Sequence, residues 1–267
     1  MAADIKSLKT RIKSVDSTLH LTKAMGLVAS SKIRKANIAM NAGRQYSEAV
    51  NSVVELLTAS PECAKSPYMK QFEGGKTRLV VIAGDRGLAG GYNANVFRTV
   101  RDFGECEVFP IGKRACEKYG KEANSSEKFT AAEGLSLANK LCEDFIAGEY
   151  DRLGIVTTKY VSIMTQTPEI KWVLPLERDE NAKSTSAIFE PDEAEILKVA
   201  VIEYVSAMIM SCVRESYACE VAARRMAMDS AGKNARQMID ELQLKYNRAR
   251  QGAITQEITE IVAGSGE

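Results

Sequence analysis

Hydrophobic positions along the chain follow three regimes. In residues 3–59, Ile5, Leu8, Ile12, Val15 and Leu19 recur at spacings of three and four, the seam of an α-helix that pairs with another helix. Val50, Val53, Val54 and Leu57 resume an apolar face, and no proline interrupts the stretch. The pattern predicts one helix about 85 Å long at 1.5 Å per residue. The two prolines of SPECAKSPY at 60–68 end it.

Residues 76–176 change period. RLVVIA (78–83), VFPIG (108–112), RLGIVTT (152–158) and WVLPL (172–176) read as strands. Helical stretches around 93–103, 113–120 and 133–147 separate the first three. Strand–helix alternation with near-continuous apolar strands predicts a covered, largely parallel α/β sheet of Rossmann-like character. ERDENAKSTSA at 177–187 reads as a polar exit linker.

From Pro191 a second long helix is expected, with Pro191 in its first turn and Asp192, Glu193 and Glu195 at its positive end. Met228, Ala231, Ala235, Met238, Leu242 and Ala249 carry a heptad seam that Lys245 interrupts, and Ile254, Ile258 and Ile261 continue it. Helices this long need a partner face, and the simplest partner for each is the other. The expected fold is therefore α+β with an α/β head. Residues 1–60 and 189–267 form a long antiparallel two-helix coiled coil, and 61–188 form a small central α/β domain with linkers. Setting Met25 beside Arg224 places Ile5 near Leu244 and leaves the second helix unpaired beyond about residue 249.

Composition adds little to that outline, with hydrophobic residues at 45% and charged residues at 27%, ordinary for a soluble globular chain. The net charge of +1 marks no polycation, and no nucleic-acid partner is expected. Charge is uneven, however: nine Lys/Arg against Asp4 and Asp16 within residues 1–44 give +7 and favour an acidic protein partner. MAADIKSLK lacks the apolar core of a signal peptide. ILKVAVIEYVSAMIMSCV (196–213) is long enough to span a bilayer, yet Lys198 and Glu203 would each cost about 2.5–3.5 kcal/mol at its centre, so a protein-buried helix is expected.

Candidate chemistry is sparse. The six cysteines form no CxxC pair and are read as reduced, mostly buried thiols; His20 is the only histidine, which leaves no basis for a zinc site or a His-based catalytic pair. GDRGLAGGYN (84–93) follows the first strand in the manner of a phosphate loop. Its glycines at 84, 87, 90 and 91 match neither G-x-x-x-x-G-K-[ST] nor G-x-G-x-x-G. Gly75-Lys76-Thr77 precedes the strand and has Lys70 where the first glycine is required. The glycines are read instead as a tight turn from which Asp85 and Arg86 project, with Asn93 capping the next helix. No catalytic, cofactor or metal residues are assigned.

Three blocks carry a family resemblance: LTKAMGLVASSKIRKA (21–36), DRGLAGGYN (85–93) and KNARQMIDELQLKYNRARQGAITQEITEIV (233–262). Together with KYVSIMTQTP (159–168) they resemble the γ subunits of F-type ATP synthases of bacterial type, over essentially the whole chain and in the family's order. The resemblance implies a central-stalk rotor that catalyses nothing itself and carries no cofactor. It couples ion-driven ring rotation, by proton or sodium, to conformational cycling of the catalytic β subunits. Its partners would be the α/β hexamer, the ε subunit and the membrane c-ring. It would lie at the cytoplasmic face of the inner (plasma) membrane, attached only through the complex.

Carried over position by position, the resemblance implies hexamer contacts for Lys23, Met25, Asp85, Arg86, Arg224, Arg250, Gln251 and Thr255. It implies an apolar shaft tip of Ala253, Ile254, Ile258, Ile261 and Val262. The chain departs from the family pattern at Gly84, Ala89, Arg225 and Gly232-Lys233. A glycine inside a helix costs about 1 kcal/mol relative to alanine, which questions local stiffness near 232. A free coiled-coil scaffold or tether with an α/β head explains the heptads but not the polar RARQ and TQE runs within them. A nucleotide-dependent enzyme remains the third reading.

Overall fold

The computed structural model describes residues 2–70, 75–178, 190 and 192–264. In chain order they form α1 (Ala2–Thr58), β1 (Thr77–Ile82), α2 (Tyr92–Phe103), β2 (Glu107–Ile111), α3 (Lys113–Tyr119), α4 (Ala131–Ile146), β3 (Arg152–Tyr160), β4 (Gln166–Leu174) and α5 (Glu193–Gly264). Two 3-10 turns, Cys63–Lys65 and Pro67–Met69, follow α1. The fold is α+β with long terminal helices, as the residue pattern predicts, and the expected largely parallel sheet carries one antiparallel edge strand. Contacts divide it into two compact units, residues 31–223 and residues 1–30 with 224–267.

In the larger unit the sheet order is β2-β1-β3-β4. β1 pairs parallel with β2 and β3, whereas β4 pairs antiparallel with β3. The reversal follows from chain length: five residues join β3 to β4, too few for the crossover a parallel pair needs. Val80, Ile82, Leu153 and Ile155 pack on one face with Leu141 and Phe145 of α4 and Leu197, Val201 and Ile209 of α5. Leu79, Val81 and Val156 pack on the other face with Val96 and Val100 of α2 and Ala115 of α3. Covering both faces is why these strands read as unbroken apolar runs. α4 starts at a capping box in which Thr130 Oγ1 accepts the Glu133 N–H at 3.2 Å and Glu133 accepts the Thr130 N–H at 2.7 Å.

Within this unit α1 buries Ile33, Ala36, Met40, Gly43, Ser47, Val54 and Leu57, with Val50 half-buried between them. Gly43 lies against Arg214 and Ser211 of α5, and Ser47 Oγ hydrogen-bonds Ser211 Oγ at 3.1 Å. Val53, expected on the apolar face, is exposed. The apolar 196–213 segment of α5 belongs to an 18-residue-scale membrane candidate by composition, but 61% of that window is buried inside the protein. The α5 N-terminus is capped by Asp192, whose Oδ1 accepts the Glu195 N–H at 2.7 Å. Pro191 lies outside the described residues, as do residues 179–187 of the expected linker.

In the smaller unit α1 turns Ile5, Leu8, Ile12 and Val15 partly inward and buries Leu19, Thr22 and Ala29. Facing them, α5 presents Met228, Gly232, Ala235, Ile239, Leu242, Tyr246, Ala249 and Ala253 at strict spacings of three and four. This corrects the sequence reading at two positions. Met238 is exposed, and Ile239 sits on the seam in its place; Lys245 points to solvent, and Tyr246 keeps the seam unbroken. A Cβ at Gly26 would stand 3.7 Å from Met228 Cβ, and one at Gly232 would stand 3.5 Å from Thr22 Oγ1. Continued along both helices, that register sets Ile5 near Ala249 rather than near Leu244. In that register the seam of α5 ends at the half-buried Ala253.

Candidate functional site

The segment after β1 carries the glycine-rich run that resembles a phosphate loop, and its backbone is ordered by contacts with α5. Gly84 is buried because Glu220 of α5 lies directly over it: an added Cβ would stand 2.6 Å from Glu220 Cδ. The left-handed positions of the turn are Leu88 (φ 60°) and Gly90 (φ 58°), so glycine is not what permits every bend. Ala89 and Tyr92 pack with Cys219 of α5. The Tyr92 hydroxyl donates to the Ser216 carbonyl at 3.0 Å, and its complete burial drives the phenol pKa up.

Asn93 does not cap α2, whose N-cap position is Gly91 with no side-chain cap. Instead Asn93 Oδ1 accepts the Gly84 N–H at 2.9 Å, and Nδ2 donates to the Arg86 carbonyl at 3.4 Å. The side chain thus ties the turn to itself. It takes the Gly84 N–H that a bound phosphate would need.

Asp85 does not project. Its carboxylate accepts the backbone N–H groups of Lys113 (3.1 Å), Ser126 (3.0 Å) and Glu127 (3.1 Å), and the Ser125 hydroxyl at 2.5 Å. Burial alone would raise its pKa, but these four donors outweigh it and hold the carboxyl below the usual carboxylate range. Arg86 is exposed, with Nη2 3.7 Å from Glu127 Oε2. Glu127 in turn accepts from Lys32 Nζ of α1 at 2.7 Å and from the Tyr217 hydroxyl of α5 at 3.0 Å. The Lys32 hydrogen bond is the main cause of a lowered Glu127 pKa, with Tyr217 and Arg86 adding to it against partial desolvation. One carboxylate therefore braces the turn against both long helices.

The other sequence-predicted residues lie in the smaller unit. Lys23 is exposed, and Met25 and Arg224 are half-buried. Arg250, Gln251 and Thr255 are exposed, with Thr255 Oγ1 bonded to the Gln251 carbonyl at 2.9 Å along the helix. Ile254, Ile258, Ile261 and Val262 are 47%, 56%, 70% and 64% exposed, which makes this end of α5 an apolar, solvent-facing surface.

The residues that sequence reasoning missed are Glu127, Tyr217, Arg44 and Glu215. Glu215 and Glu220 stand inside an otherwise apolar stretch of α5. A carboxylate on a helix expected to be buried on most faces demands a cationic partner, and that was the available signal. Among the described residues no cluster of three or more His, Cys, Asp or Glu side chains has metal-binding geometry.

A profile of the family described as ATP synthase matches residues 4–266. An ATP synthase gamma chain from Ruminococcus albus is 40% identical over 281 residues, covering 98% of both chains. Among solved structures, an OSCP/F1/c-ring assembly of Euglena gracilis mitochondrial ATP synthase contains a chain that superposes with TM-score 0.72 at 17% identity, over 98% of this chain and 94% of that one. The rotor of the same synthase gives TM-score 0.67 at 14% identity over 95% and 100%. A central stalk/c-ring structure from Tetrahymena thermophila mitochondrial ATP synthase gives 0.62 at 20% over 79% and 99%. At these identities the solved structures speak to the fold.

Proposed function

The chain belongs to the ATP synthase gamma-chain family, and from that premise we propose that it is the rotating central stalk of an F-type synthase, a non-catalytic subunit whose partners are the α/β hexamer, an ε subunit and a membrane c-ring. The family is a peripheral part of a membrane-bound complex; for this chain we place it at the cytoplasmic face. The observation that carries the reading is similarity to a gamma chain over 98% of both lengths. Coupling then arises from linkage. A shaft that offers a different face to each β subunit shifts each toward a different conformation, by no more than its differential contact with the alternatives.

The contact residues follow as part of the proposal. Lys23 and Arg224 present positive charge, and Arg250, Gln251 and Thr255 present polar groups, on exposed or half-exposed faces. Ile254, Ile258, Ile261 and Val262 offer an apolar end to a bearing surface. Arg86 is the outward group of the β1 turn, while Asp85 sets its position from within. For domain limits, 1–60, 61–188 and 189–267 serve as the working division by chain segment.

Reconstitution tests this reading. The chain should assemble with purified α and β subunits, and a complete synthase reconstituted in vesicles should lose coupled ATP synthesis when α5 is cut back before residue 250. Failure of the chain to assemble with α and β subunits would overturn the proposal. ATP binding by the isolated chain in calorimetry would overturn its non-catalytic part.

A further inference from the structure

A groove of about 980 Å³ opens between the end of α2, the start of β2 and the end of α3. Its floor is apolar: Phe97, Val100, Val108 and Tyr119 line it, and the Phe97 and Tyr119 rings meet edge-on at 6.1 Å and 82°. Its rim is cationic: Arg98, Arg101, Lys118 and Lys121 line it and are all exposed. Arg98 Nη2 donates to Asn95 Oδ1, Arg101 meets Asp102 at 3.2 Å, and Lys118 and Lys121 hold no ion pair among the described residues. The one acidic lining residue, Glu107, is 2.7 Å from Arg78. Net positive charge therefore surrounds an apolar floor.

β2 is an edge strand, and only part of that edge is blunted. Pro110 has no N–H, and its carbonyl accepts from Asn124 Nδ2 at 3.0 Å. The other end, at Glu107 and Val108, fronts the groove. Such an edge offers backbone partners to an extended chain.

We propose that this groove is a docking site for an acidic, extended segment of a partner protein, which seats an apolar side chain on the Phe97–Tyr119 floor and sets carboxylates against the four rim cations. Charge complementarity selects an acidic occupant. The floor selects an apolar anchor, because a small anion gains nothing from it. The rim cations are all exposed and ring an open groove, which suits a chain lying across it rather than a phosphate enclosed in a pocket.

The test uses the full-length chain and short fluorescein-labelled peptides in anisotropy titrations. One peptide carries Asp and Glu around a central Leu, a second replaces the acids with Asn and Gln, and a third replaces them with Lys. The acidic peptide should bind at least about tenfold tighter than the amide peptide and weaken as salt is raised. It should also slow maleimide labelling of Cys106, a lining thiol that is half-buried and free. The R98E/K118E variant, confirmed folded by circular dichroism, should lose about tenfold for the acidic peptide and gain affinity for the lysine peptide. Equal binding of acidic and amide peptides, unchanged binding by R98E/K118E, or unprotected Cys106 would overturn the proposal. So would displacement of the peptide by inorganic phosphate at similar concentration, or preferential binding to phosphatidylglycerol vesicles. None of these outcomes depends on assembly with α and β, so this inference and the rotor reading fail separately.

Discussion

The Glu215 carboxylate of α5, only 2% exposed, accepts a hydrogen bond from Arg44 Nη2 of α1 at 2.5 Å. The same oxygen, Oε1, accepts the Tyr160 N–H of β3 at 2.8 Å, and Oε2 lies 3.4 Å from Lys171 Nζ of β4. Arg44 also donates to the Tyr160 carbonyl at 3.3 Å. Both long helices and both strands of the antiparallel pair thus meet at one buried charge. Desolvation pushes the Glu215 pKa upward, but Arg44, the Tyr160 N–H and Lys171 together hold it below its ordinary value.

Removing Arg44 leaves the buried Glu215 carboxylate with only Lys171 and the Tyr160 N–H, and removing Glu215 leaves Arg44 without its carboxylate while Lys171 keeps Glu169 at 3.7 Å. Glu215→Ala and Arg44→Ala should each cost about 3 kcal/mol, with a coupling term in the double variant, because truncation forfeits the pair and not the desolvation. Urea unfolding followed by far-UV circular dichroism measures this. A Glu215→Ala midpoint equal to the parent's would dismiss the cluster as a structural weld.

Gly84 lies under Glu220, and a side chain there must displace it. Gly84→Ala should destabilise by about 1–3 kcal/mol, the usual cost of overpacking. Shortening the overlying residue in Gly84→Ala/Glu220→Ala should recover part of that loss relative to Glu220→Ala alone. Additive losses in thermal unfolding would show that steric contact is not the cause.

The Asp85 carboxyl has a depressed folded-state pKa, so its contribution is fully present above the unfolded value, near 4, and is lost as pH falls through the folded value. Asp85→Asn should therefore lower stability at neutral pH, and the gap to the parent should shrink as the medium becomes more acidic than about pH 4. Parallel stability curves for parent and variant down to strong acid would contradict this assignment.

Thiol reactivity should single out one cysteine. Cys63, Cys116, Cys142, Cys212 and Cys219 are buried, and burial pushes the Cys142 and Cys212 thiols up to about 12 and about 11. Cys106 is half-buried, and desolvation raises its pKa as well, so labelling should be slow but first there. Timed N-ethylmaleimide labelling with peptide mass mapping gives the order. Early modification of Cys212 would mean that α5 opens more readily than its packing implies.

The exposed end of α5 separates folding from assembly. Ile254→Asp/Ile258→Asp should change the stability of the isolated chain by less than about 0.5 kcal/mol, since both side chains already face solvent. Under the rotor proposal the same variant should weaken binding to an α/β hexamer, read by sedimentation of the mixture. Unimpaired assembly and turnover would remove these two residues from the bearing surface.

Much of the architecture was legible because its signals are local. Ile5 to Leu19 at alternating three and four residues and the apolar runs at 78–83 and 152–158 each depend on neighbours within a turn or a strand. Periodicity failed where the contact surface is not apolar. Thr22, Gly26, Gly43 and Ser47 hold helix positions set by close approach, so a search for large hydrophobic residues passes over them. Met238 and Lys245 misled the reading of the α5 seam for a different reason: each lies one residue from the true seam position, at Ile239 and Tyr246.

Taken alone, the amino-acid sequence determined two long helices around a strand–helix unit, the failure of both phosphate motifs at GDRGLAGGYN, and the family to which its end blocks point. Only the tertiary structure decided what that turn is for mechanically. Asp85 faces inward to four donors, Asn93 pins its own loop, and Glu220 lies over Gly84 where an added Cβ would stand 2.6 Å from its Cδ. The physical reason is distance along the chain. Glu127 is bonded to Lys32 and Tyr217, separated from it by 95 and 90 residues, and Arg44 to Glu215 across 171. No periodicity encodes such pairs. They exist because buried charges must find partners once packing has brought remote segments together.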